Sequence, residues 1–234
     1  MTIGLYTDRT ARGILRQLQE LRQRVGIGRP DRPPPVVLDD GLTFKNTSAT
    51  TIPPYGLVRV DDELEFNDTR IYEGKYPDTT WGDEWLINGP DEVAQNDFGT
   101  AQAGPIVTFL FDTGTPAAKA IYGPKPGQAG ASLGFPALLK VIGVYDQTAK
   151  LCRGRLLHGG VITTLLGKTT AAAAASTPTT DWIILAETAS GTNSDAGFTT
   201  VPSAVSRVAI DDDKEIEVTM LGNGWRMKPL ECNG

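Results

Sequence analysis

The chain has 234 residues, 40% of them hydrophobic and 7% aromatic, with 26 glycines, 16 prolines and a net charge of −6. That composition belongs to a turn-rich globular protein large enough for one sizeable β domain or two smaller ones, and excludes a disordered chain. No apolar run approaches the roughly 20 residues that span a bilayer, and Asp8 and Arg9 follow Met1 too closely for a signal peptide, so no membrane insertion is expected and synthesis and residence in a cytosol are.

The first element predicted is a helix over residues 10–25. Ala11, Ile14, Leu18, Leu21 and Val25 recur at alternating spacings of three and four, an a/d seam of about two heptads. A helix this short is marginal alone, so it needs a partner: its own body or other copies of itself. Residues 1–35 hold seven arginines against three acids, a surplus of four, which leaves about −10 on the remainder. Arg12, Arg16, Arg22 and Arg24 flank the seam, and a basic arm on an acidic body points to docking on carboxylates and not to specific nucleic-acid binding. Arg29-Pro-Asp-Arg-Pro-Pro-Pro35 then reads as a semi-rigid polyproline II tether.

From residue 36 the helical period gives way to strand signals. Residues 36–38, 42–46 and 57–60 read as strands, with Asp61-Asp62-Glu63 expected to turn the chain. Residues 64–100 show no sustained period and read as short strands among long loops. Further strands are expected at 104–111, 135–145 and 150–157, the last two as a hairpin, with a strand end and a rigid turn at 120–127. Residues 167–180, with five consecutive alanines and Pro178, read as a linker or loop, and no internal repeat at a fixed period is evident. The tail returns to strands at 181–187, 206–210, 215–221 and 225–232, the last pair straddling Gly222-Asn223-Gly224, a tight-hairpin signal. The expected fold is therefore mainly β: an attachment and oligomerisation piece at 1–35, a main antiparallel sandwich- or barrel-like domain at 36–166, the segment 167–180, and a C-terminal β module at 181–234.

Catalytic signatures are sparse. Leu166-Gly-Lys-Thr-Thr170 ends like a phosphate-binding loop, but Ile162 stands where the first glycine is needed. His158 is the sole histidine and no nucleophile elbow accompanies it. Cys152 and Cys232 are too far apart in sequence for a usual zinc set, so no metal or cofactor is expected. The acidic groups Asp61/Asp62/Glu63/Glu65, Asp83/Glu84 and Asp211/Asp212/Asp213/Glu215 lack calcium-loop spacing; a carboxylate pair for glycan hydrolysis is a third, weaker reading. Tyr72, Tyr76, Trp81 and Trp85, near Asn67 and Asn88, would make a sugar-stacking surface if they shared one face, as in a carbohydrate-binding adhesin.

Three stretches carry a resemblance. Phe44-Lys-Asn-Thr-Ser-Ala-Thr-Thr-Ile-Pro-Pro-Tyr-Gly-Leu-Val-Arg-Val60, Ile121-Tyr-Gly-Pro124 with residues 139–145, and Gly224-Trp-Arg-Met-Lys-Pro-Leu-Glu-Cys232 together resemble segments of virion structural proteins of tailed bacteriophages and prophages. The resemblance implies a non-enzymatic fibre, decoration or neck-tail accessory protein located in the virion. It would be a homotrimer that contacts portal, neck, tail or capsid proteins and, in the adhesin alternative, a host-surface glycan. It brings no catalytic residues with it.

Overall fold

The computed structural model describes residues 41–230, apart from 67–68, 103, 113–114, 188–190 and 223. The predicted helix with its seam and arginines, the tether and Cys232 lie outside the described residues. The body is mainly β, as the alternation predicts, in three curled sheets of mixed and antiparallel strands.

The first sheet contains β1 (Gly41–Asn46), β2 (Leu57–Phe66), β3 (Thr69–Lys75), β4 (Trp85–Ile87) and β5 (Phe98–Gln102), in the order β4-β2-β3-β1-β5. β1 runs parallel to β3; the other pairings are antiparallel. An Asn88–Ala101 bridge and a 2.8 Å bond from Gly89 N–H to Thr100 O join the two end strands, which closes the sheet into a small barrel. Its interior holds Phe44, Ile52, Val58, Leu86, Val93 and Ala101. Phe44 has room because its neighbours on both sides are glycine: a Cβ on Gly74 or Gly99 would lie 2.5 or 2.6 Å from its ring.

The second sheet contains β6 (Ile106–Leu110), β7 (Ile121–Gly123), β8 (Ser132–Leu133), β9 (Leu139–Asp146) and β10 (Leu151–Leu156), in the order β6-β10-β9-β7-β8. The outer side of β6 is closed by side chain and loop. The Gln102 amide both donates to Thr108 O (2.6 Å) and accepts from Thr108 N–H (2.8 Å), and Leu110 N–H donates to Tyr55 O (2.8 Å). The third sheet contains β11 (Thr164–Thr169), β12 (Pro178–Thr179), β13 (Trp182–Glu187), β14 (Asn193–Asp195), β15 (Ala204–Ser206), β16 (Glu215–Leu221) and β17 (Gly224–Pro229), in the order β12-β15-β17-β16-β11-β13-β14. The β16–β17 hairpin pairs Leu221 with Gly224, as the Asn-Gly signal predicts. β11 pairs with both β13 and β16, so the third sheet begins at Thr164, and Gly167, Lys168 and Thr169 are strand residues within it.

A second, larger core joins all three sheets. Leu57, Trp85 and Ile87 point out of the barrel into it, beside Phe109, Tyr122, Leu139, Trp182 and Ile216. β4 is therefore a shared wall, with Leu86 in the barrel core and its two neighbours in the large one. Two-sided burial explains why residues 85–87 show no period of two. β2 does not turn at Asp61-Asp62-Glu63, contrary to the sequence expectation. A bulge between Val60 and Asp62 lets pairing with β3 continue to Phe66 while the three carboxylates stay in solvent.

One local structure recurs five times. A buried apolar residue is followed by two others, then by a residue with positive φ, and the next strand begins two residues later. The buried residues are Ile52, Val93, Pro116, Ala173 and Ile210; those with positive φ are Tyr55, Asn96, Lys119, Ser176 and Asp213. Four of these corners form two bridged pairs, Ile52 with Val93 and Ala173 with Ile210. In these four the N–H of the positive-φ residue donates to a carbonyl at the end of another strand or just past it: Tyr55 to Gly89 (2.9 Å), Asn96 to Asn46 (2.7 Å), Ser176 to Ser206 (2.7 Å) and Asp213 to Thr169 (3.2 Å). The barrel and the third sheet are thus built around the same doubled corner, a duplication at the level of backbone geometry.

Candidate functional site

The side chains predicted to form a ligand surface diverge in the structure. Trp85 is fully buried, with its indole N–H on Gly82 O at 2.8 Å, so the sugar-stacking surface expected from Tyr72, Tyr76, Trp81 and Trp85 is not assembled on one face. Tyr72 and Tyr76 lie against the barrel core. Trp81 packs edge-on against Phe198, ring centroids 5.1 Å apart at 82°, with its indole N–H on Asp83 at 2.7 Å.

What organises this region is Arg59, whose side chain is only 3% exposed. Its stem lies against Gly82, where a Cβ would come within 2.5 Å of Arg59 Cγ. Nη1 donates to the Asp78 carboxylate and to Thr80 O (2.8 Å), and Nη2 to Asp61 Oδ1 at 3.3 Å, whereas Nε has no protein partner. Lys75 donates to the other oxygen of Asp61. That hydrogen bond is the main cause holding the Asp61 carboxyl below the usual range, against some desolvation. Arg59 therefore pins the loop between β3 and β4, and the loop reaches the third sheet: Thr199 N–H donates to Thr79 O and Trp81 N–H to Thr200 Oγ, both at 2.8 Å. This is a brace between sheets. Alternation along β2 gives no sign of it, because an arginine between two valines reads as a solvent-facing residue.

The remaining candidates separate similarly. Gly167 and Lys168 lie in extended β11 and not in a phosphate cradle, with Lys168 paired to Asp213 at 2.5 Å; that bond raises the Lys168 ammonium above its ordinary pKa. His158 is exposed in a short turn after β10, with φ of 48°. Cys152 is buried, and desolvation pushes its thiol up, away from nucleophilic chemistry. Glu84 is also held above the usual carboxylate range, first by desolvation and then by the charge of Glu63. Among the described residues no group of three or more His, Cys, Asp or Glu side chains is arranged to hold a metal.

Three buried polar side chains go instead to the corners. Asn46 Nδ2 donates to Val93 O (2.9 Å) and Thr50 O (3.0 Å), and Asn88 Nδ2 to Pro53 O (2.9 Å) and Asp91 O (2.7 Å), so each asparagine clamps the opposite corner of the barrel. Thr169 does the equivalent in the third sheet, donating to Asp211 O at 2.9 Å and accepting from Lys214 N–H at 2.9 Å. No family model, curated protein or solved structure matches the chain. A groove of about 840 Å³ lies over β15, β17 and β16, lined by Arg207, Arg226, Lys228 and Glu217 among others, with Lys228 paired to Glu217 at 2.9 Å.

Proposed function

We propose that this chain is a non-enzymatic structural component of a tailed-phage virion, of fibre, decoration or neck-tail accessory type, attached and self-assembled through residues 1–35. The observation that carries the reading is how the body spends its buried polar groups. Asn46, Asn88 and Thr169 all serve the doubled corners, and Arg59 braces one sheet to another. Such a body is built to hold its shape and present surfaces. The sequence resemblance and the opposition of a basic arm to an acidic body point the same way. The test is light scattering on the full chain and on Leu18→Asp/Leu21→Asp. The full chain should scatter as three times its 25.0 kDa mass, and the double variant as a folded monomer with unchanged far-ultraviolet circular dichroism. A double variant that assembles like the parent refutes the role given to the seam.

A further inference from the structure

The outward face of the second sheet carries an arrangement that the corners and the brace do not use. In the β6-β10-β9 register Arg155 stands opposite Ile106 on one side and Lys140 on the other, and Arg153 stands opposite Thr108, at the bulge of β9 that exposes Ile142. Lys140, Arg153 and Arg155 are exposed, and Ile106 and Ile142 are 45% and 44% exposed. No acidic residue occupies an outward position on these strands before Asp146 at the hairpin end, and among the described residues no carboxylate lies within ion-pair distance of the three cations. The rest of the body is strongly acidic, so this concentration of cations around two isoleucines is a local reversal of sign.

We propose that this face docks an extended acidic protein segment. Side chains two apart on a strand repeat at about 6.7 Å, so a segment lying along β10 would present carboxylates at alternate residues in step with Arg153 and Arg155. Guanidinium forks match carboxylates in geometry and charge, and Lys140 adds a third cation beside them. Ile106 and Ile142 flank the cationic row and give apolar residues of the same segment somewhere to rest. Nucleic acid fits less well: among the described side chains of these strands no aromatic faces outward for base stacking. The inference is independent of the virion reading.

Fluorescence anisotropy of the full chain tests it, with labelled poly-L-glutamate, random poly(Glu,Tyr) and oligo-dT as probes at low ionic strength. Poly-L-glutamate should bind, and Arg153→Ala/Arg155→Ala should weaken binding about tenfold or more, as should raising the salt until the Debye length falls to about 3 Å. Poly(Glu,Tyr) should bind more tightly, and Ile106→Ser/Ile142→Ser should remove that advantage. Arg226→Ala, in the groove of the third sheet, should bind like the parent. No poly-L-glutamate binding, equal binding by the Arg153/Arg155 variant, loss through Arg226→Ala, or preferential binding of oligo-dT would each overturn the proposal. Circular dichroism of each variant confirms that the outward substitutions leave the sheet folded.

Discussion

Asn46 offers the sharpest test of how the barrel is held. Its side chain is inaccessible to solvent and makes four hydrogen bonds: two donated to Thr50 O and Val93 O, and two accepted at Oδ1 from Ser48 N–H (3.0 Å) and Ser48 Oγ (2.5 Å). Asn46→Ala deletes all four. Both carbonyls have another donor in the variant, however: Val93 O takes Ile52 N–H at 3.0 Å, and the Ser48 hydroxyl, released from Asn46, lies 3.0 Å from Thr50 O. No backbone acceptor is orphaned, so the loss is that of the net hydrogen bonds and a small void, about 2–4 kcal/mol. Asn46→Asp preserves the shape but turns the two donated bonds into a carboxylate facing two carbonyl oxygens. At neutral pH it should cost more than the alanine variant, about 3–5 kcal/mol, a large part of the stability of an ordinary domain. Protonation restores one donor, so the folded-state pKa of the new carboxyl is raised. The penalty is then full above that pKa and fades as the pH falls through it towards the unfolded value of about 4. Urea unfolding followed by tryptophan fluorescence, between neutral pH and pH about 4, measures both variants. If Asn46→Asp matches the parent at neutral pH, or is no worse than Asn46→Ala, the clamp is not what holds the corner.

Two further outcomes follow from the same reasoning. Gly123→Ala would place a Cβ 1.8 Å from Pro136 O, a backbone atom that cannot swing aside, so it should destabilise by about 3 kcal/mol or more or leave no soluble protein, measured as the urea midpoint or soluble yield. Glu84→Gln should raise the melting temperature at neutral pH, because the ionised side chain is disfavoured in the fold by desolvation and by Glu63; the gain should shrink as the pH falls through the raised folded-state pKa, and a gain that grows with acidity would contradict this.

The sequence was informative wherever one face of a strand meets solvent. Residues 215–221 alternate cleanly, with Ile216 and Val218 inward, and the Gly-Asn-Gly turn that follows is unambiguous. Legibility failed where a strand is buried on both sides. Trp85-Leu86-Ile87 feeds two different cores, so it has no period of two, and Trp85 looked available for a ligand when it was structural. The repeated corner was hidden for another reason. It depends on a buried residue at the start and a positive φ three positions later, and the latter is filled by Tyr, Asn, Lys, Ser and Asp in turn. Non-glycine residues there carry a conformational cost of about 1 kcal/mol or more, which the conserved backbone bonding offsets without leaving a composition signal. Asn46 and Asn88 read as ordinary loop polar residues for the same reason: their partners are backbone carbonyls distant in sequence.

The closed barrel and the capped edge of β6 also limit how this body meets other molecules. With Asn88 bridged to Ala101 and the Gln102 amide already on Thr108, neither place offers a row of free backbone groups to a passing strand. Neighbours on those sides can be held only by side chains. Contacts of that kind can be tuned by single substitutions, loosened by salt and undone without unfolding, so copies can be crowded together on those sides without fusing into a common sheet.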